Sequence, residues 1–217
     1  MFKSNLNKLI SITSELKRSL PQQLSINSGT VEVPKEIDQL IGPNARVGFE
    51  SSLFLFPNTL DDYIPDIITW NQYIMNWFIL DLVQRKHLYI FGMDLFMVQF
   101  AISLNDGSIH KINLETGEIN RIAKSLELWA KIILDDFDNQ LGWSLSIEWQ
   151  INNRPLRAHE RLLPRIPFVV SIDSSENSFH PVSLLNGLDM LRSLHLRIIH
   201  TKDGDNIDFT FWENGIK

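Results

Sequence analysis

The chain has 217 residues, 44% of them hydrophobic, enough for one substantial core. Twenty basic against 26 acidic residues give a net charge of −6, so the chain lacks the basic excess of a duplex nucleic-acid binder and is suited to meeting a basic partner. The absence of cysteine excludes disulfides, thiolate metal sites and a cysteine nucleophile.

In chain order, Leu9, Ile12, Leu16 and Leu20 follow helical spacing, so residues 3–20 are predicted to form an amphipathic helix ended by Pro21. This segment lacks the apolar core and small-residue cleavage site of a signal peptide, and the absence of cysteine fits a cytoplasmic chain. Residues 21–32 read as a polar linker, and Pro34 opens a short helix ending before Gly42. Val47–Phe56 is apolar on both faces and reads as one central strand. Thr59–Arg85 reads as a helix apolar on nearly every side, with Pro65 in its first turns. Its longest uncharged stretch, Ile67–Leu80, is too short to span a membrane.

Leu88–Phe91, Met97–Ser103, Ser108–Asn113 and Glu118–Ile122 are predicted strands. Asn105-Asp106-Gly107 and Glu115-Thr116-Gly117 punctuate the last three of them. Ser125 is the predicted N-cap of a helix over Leu126–Phe137, with Leu126, Trp129, Ile133 and Phe137 as its apolar stripe. A second helix is expected over Leu141–Asn152, an extended entry to a strand over Pro164–Val170, and a helix over Val182–Arg192. Leu194–His200 and Asn206–Trp212 read as a closing hairpin. Turn-linked strands with flanking helices make the class α+β, a mixed and largely antiparallel sheet.

The search for chemistry is mostly negative. The ten glycines form neither G-x-G-x-x-G nor the phosphate loop G-x-x-x-x-G-K. Gly142-Trp143-Ser144-Leu145-Ser146 approaches a nucleophile elbow but lacks the second glycine. The six histidines show no H-E-x-x-H spacing, and no calcium-loop register fits Asp135–Asn139 or Asp203–Asn206. No catalytic, cofactor-binding or metal-binding residue is assigned. Asp135, Asp136 and Asp138 crowd the expected C-terminal end of a helix, where the dipole disfavours negative charge. That conflict marks them as candidate contacts for a basic partner.

The block Leu88–Ile102 with Asp106-Gly107-Ser108-Ile109, Glu115-Thr116-Gly117-Glu118 and Ala123–Trp129 resembles the SUKH superfamily, which includes a fungal cell-wall-synthesis regulator and many bacterial toxin-immunity proteins. Gly142–Trp149 and Pro164–Val170 are similar to its longer bacterial members. The resemblance covers about 85–170 well and extends over 34–84; it implies a single domain over 31–217, with 165–217 as a C-terminal extension and 1–30 as an added helix and linker. It implies a non-catalytic domain that binds another protein, without nucleic acid, membrane or cofactor, such as an immunity protein masking a toxin, often a nuclease. A regulatory scaffold linked to cell-wall-synthesis signalling, or an enzyme with an unrecognised site, are the alternatives. Where members of that group often carry small residues after the glycine-acidic step, this chain has Met93, Leu95, Phe96 and Met97. A greasier surface is therefore expected there.

Overall fold

A computed structural model describes residues 4–16, 33–59, 63–77, 87–170, 178–202 and 209–215. Seven antiparallel strands form the main sheet, in sequence order: β1 (Ser14–Glu15), β2 (Arg46–Gly48), β3 (Leu53–Leu55), β4 (Leu88–Met93), β5 (Gln99–Ser103), β6 (Ile109–Ile112) and β7 (Ile119–Ala123). A two-stranded sheet pairs β8 (Glu160–Pro164) with β9 (Phe179–Ser183). The α-helices described are α1 (Asn5–Ile12), α2 (Ile67–Trp77), α3 (Leu126–Asp135), α4 (Phe137–Leu141), α5 (Trp143–Asn152), α6 (Leu184–His200) and α7 (Thr210–Gly215). This is a mixed α+β fold.

The meander β5–β6–β7 follows from its turns. Gly107 and Gly117 adopt φ of +69° and +75°, which glycine accepts without the Cβ penalty. The Asp106 carboxylate accepts hydrogen bonds from the Ser108 hydroxyl (2.6 Å) and amide (3.1 Å), and these hold its pKa down to about 2. Asn113 Oδ1 braces the second turn by accepting the Glu115 amide at 2.8 Å.

Above the sheet, α3 begins where expected: Ser125 Oγ accepts the Leu128 amide at 3.3 Å. Trp129 is fully buried, with its ring edge-on to Phe91 (5.0 Å) and Phe100 (5.4 Å). From α2, the buried Asn71 side chain donates to the Ile67 and Ile90 carbonyls and accepts the Ile90 amide, all at 2.8 Å. An interior amide satisfied in this way pins the helix to β4. Leu6 and Leu9 of α1 and Trp212 of α7 join the same apolar core, and Trp212 Nε1–H donates to the Pro164 carbonyl at 2.9 Å.

Several expectations are corrected. The N-terminal helix stops at Ile12 and the chain turns into β1, the sheet's outer strand; residues 17–32, with the linker, lie outside the described residues. The segment after Pro34 is only a 3-10 turn, Lys35–Ile37. Val47–Phe56 is two strands, because the chain reverses at 49–52. The helix read from Thr59 starts at Ile67, after Pro65, and is not apolar all round: Gln72 and Tyr73 are exposed. Its predicted end at 78–85 lies outside the described residues. Asp136 interrupts the helix read as Leu126–Phe137.

Pro164 ends a strand, and residues 165–170 bend and turn. Leu194–His200 belongs to α6 and residues 210–215 to α7, so the closing hairpin is absent among the described residues. Met93, Leu95 and Met97 are fully buried and add no greasy surface. At Gly92 the backbones approach closely: a Cβ there would lie 2.6 Å from the Phe54 carbonyl oxygen.

Candidate binding groove

The turn between β2 and β3 has an unusual backbone. Phe49, Glu50 and Ser51 hold φ of 52°, 51° and 71°, three successive non-glycine residues in the left-handed region. Each such residue costs roughly 1–2 kcal/mol, so the surroundings must enforce the conformation. They do so from α5. The Glu50 carbonyl accepts the Ser146 hydroxyl at 2.6 Å and the Gln150 amide at 2.9 Å. The Phe49 ring stacks on Phe137 of α4 at 5.1 Å, and Phe137 meets Trp143 edge-on at 5.0 Å.

Between this held turn, β1, the end of α1 and α5 lies a groove of about 420 Å³. Ile12, Val47, Phe49, Ile147 and Ile151 line it, with Ser14, Glu50, Ser51 and Gln150 as polar members, and no lysine or arginine is among the lining residues. Ile151 is 78% exposed and Ile12 49% exposed. These two aliphatic side chains put apolar surface at the rim of the groove, whose lining is otherwise mixed polar and apolar.

None of the three candidate carboxylates lines this groove; Asp136 and Asp138 are the chain neighbours of Phe137, whose ring backs Phe49. All three are exposed. Asp135 pairs with Lys131 one turn back. The Asp136 carboxylate accepts from Asn139 at 2.9 Å. Asp138 accepts both the Ser144 amide (2.7 Å) and hydroxyl (2.9 Å), which caps the first turn of α5. The dipole conflict read from sequence therefore shrinks to Asp135: because the helix breaks at Asp136, the other two sit where new helices begin and negative charge is favoured. Ser144, the residue in the elbow-like motif, is held by that carboxylate rather than by a histidine.

The buried titratable groups lie elsewhere. Asp94 accepts the Phe96 and Val98 amides at 2.9 Å each. Burial pushes its pKa up to about 7, opposed by Lys111, those two amides and Arg161. Arg161, wholly buried with its guanidinium 4.4 Å from the Phe54 ring, is pushed down to about 9 by desolvation, opposed by Asp94. Glu115 accepts the Val169 (3.0 Å) and Phe168 (3.3 Å) amides, and burial raises its pKa. The His195 ring lies against Gly117, its Nδ1 3.2 Å from the Glu115 carbonyl. Burial lowers the His195 pKa.

Among the described residues, no three Asp, Glu or His side chains gather as metal ligands, and no helix is long and apolar enough to cross a membrane. Sequence reasoning named the acidic triad but missed the groove. The one local signal was the polar Glu50-Ser51-Ser52 interrupting an apolar run. Compared with protein-family models, curated proteins and solved structures, the chain gives no match.

Proposed function

We propose that this chain is a non-catalytic protein-binding domain of SUKH type, an immunity protein that neutralises a basic toxin domain in the cytoplasm by direct contact. The observation that carries this reading is the groove: exposed Ile12 and Ile151 line it, a turn held at energetic cost forms one wall, and its one charged lining residue is the acidic Glu50. Holding a strained wall in place without a partner favours binding, because less ordering remains to be done on contact. The net charge of −6 favours encounter with a basic surface.

The test is co-expression with the product of the adjacent gene. Growth should be rescued by the wild-type chain and lost with Ile151→Asp combined with Glu50→Lys, while the variant melts as the wild type does. Rescue that survives both substitutions would remove the groove from the interface. Substrate turnover by the pure protein, abolished by a point change, would replace binding with catalysis.

A further inference from the structure

We infer that the interior of the fold binds a small monovalent anion, gripped by the free guanidinium edge of Arg161 beside Phe54 of β3. The site is separate from the groove and does not depend on the binding reading.

Geometry supplies the first argument. Arg161 lies in β8 and its side chain is wholly buried. Its guanidinium carbon sits over the Phe54 ring, 4.4 Å from the centroid. Nη1 donates to the carbonyls of Ala158, at 3.4 Å, and Glu160. Nε and Nη2 have no acceptor among the described residues. Those two nitrogens point their N–H bonds along the same edge of the guanidinium, the fork that grips an anion with two parallel bonds. A buried donor without an acceptor is costly, and more so on a charged group. The ring and the two carbonyls use the other sides of the group, so the remaining edge fixes where a ligand sits.

Charge sets the sign of that ligand. Asp94 is the one described carboxylate whose charge reaches Arg161, and Lys111 shares it. Its Oδ1 already accepts the Phe96 and Val98 amides. Neither Arg161 nor Lys111 is ion-paired among the described residues. The Lys111 Nζ donates to the Gln140 carbonyl at 3.1 Å and also feels Asp136 at the surface. Glu160, the neighbour of Arg161, is taken up by two nitrogens of the Arg154 guanidinium, at 2.7 and 2.9 Å. Two cations thus share one buried carboxylate, and a bound anion restores the balance. Burial sets the size: Arg161 is 0% and Asp94 5% exposed, which suits chloride or formate and rejects a phosphate with its larger charge and hydration shell.

Asp94 tunes the affinity. Burial pushes its pKa up to about 7, so below that pH it is neutral and neither compensates Arg161 nor repels an anion. Anion affinity therefore rises as pH falls through about 7, and a bound anion in turn raises the Asp94 pKa.

The experiment replaces gluconate, too large to enter, by chloride, bromide or formate at constant ionic strength. It follows the Tm of the full-length chain at about pH 6 and about pH 8. For a Kd of about 10 mM, about 0.1 M anion should raise Tm by about 3 °C at the lower pH and by less at the higher. Arg161→Lys, which keeps the charge without the fork, should abolish the increment. Asp94→Asn should keep it and make it equal at both pH values. A wild-type Tm unmoved by all three anions, or an increment that survives Arg161→Lys, overturns the inference. A larger increment at the higher pH overturns the coupling to Asp94. Should Arg161→Lys fail to fold, anomalous scattering from a wild-type crystal soaked in bromide decides: a peak on the Nε–Nη2 edge supports the site, and its absence overturns it. Formate acting more strongly than chloride would identify the ligand as an oxyanion, the reverse as a halide, and either supports the site.

Discussion

Replacing Trp129 by alanine should remove the largest single contact between α3 and the sheet. The ring is fully buried and meets Phe91 and Phe100 edge-on across β4 and β5. Truncating a buried tryptophan costs about 3–5 kcal/mol, and each edge-on pair carries about 0.5–1.5 kcal/mol beyond area burial. Two such pairs place the loss near the upper end, about 4–5 kcal/mol. Phenylalanine should behave differently. The indole N–H is buried without an acceptor, and an unsatisfied donor costs about 1–3 kcal/mol. Removing it offsets much of the smaller cavity, so Trp129→Phe should stay within about 1–2 kcal/mol of wild type. Urea unfolding followed by far-ultraviolet circular dichroism measures both. With a slope of about 2 kcal/mol per molar, the alanine midpoint should fall by about 2 M. An unchanged alanine midpoint would refute the placement of the ring. A phenylalanine variant as weak as the alanine one would show that the indole N–H has a partner.

Three further outcomes are expected. Because folding raises the Asp94 pKa from 3.8 to about 7, this residue costs nothing below pH 3.8 and its full penalty above pH 7. Stability relative to Asp94→Asn should therefore fall by about 4 kcal/mol as pH rises through that window; a difference that is flat or rises with pH would contradict it. Gly92→Ala would drive a Cβ into the Phe54 carbonyl and should cost about 1–3 kcal/mol in thermal or urea unfolding, since strand backbone rather than a flexible side chain must move; a stability equal to wild type would deny the close approach. Reversing Asp135, Asp136 and Asp138 to lysine should slow association with a basic partner and weaken its salt dependence, with about 1 kcal/mol of stability lost through the Asp138 cap on α5. Stopped-flow association rates across salt concentrations would show this, and unchanged rates would remove the triad from the encounter.

The meander was legible because its information is local. Asn105-Asp106-Gly107 and Glu115-Thr116-Gly117 state where the chain reverses, and the hydroxyl of Ser125 states where a helix begins. Leu194–His200 was misread because Leu, Ile and His alternate there as in a strand. Only the longer stripe Leu184, Leu188, Leu191, Leu194, which faces the core, reveals a helix. The β2–β3 turn was hidden because Phe49-Glu50-Ser51 adopts left-handed backbone without glycine, and the bonds enforcing it come from residues about a hundred positions away. The groove was invisible for the same reason. Ile12, Val47 and Ile151 share no window of sequence, and exposed aliphatic residues on a helix look ordinary until the surface beside them is known.

The Glu127 carboxylate accepts the amides of Asn5 and Leu6, at 2.5 and 3.1 Å, and so closes the first turn of α1. Those amides leave the ribosome more than a hundred residues before their acceptor exists. The contact therefore spans more than half of the sequence, and it ties α1, with β1 directly behind it, to the first turn of α3. The place of the sheet's outer strand is thus coupled to a carboxylate that lies beyond the whole meander in sequence.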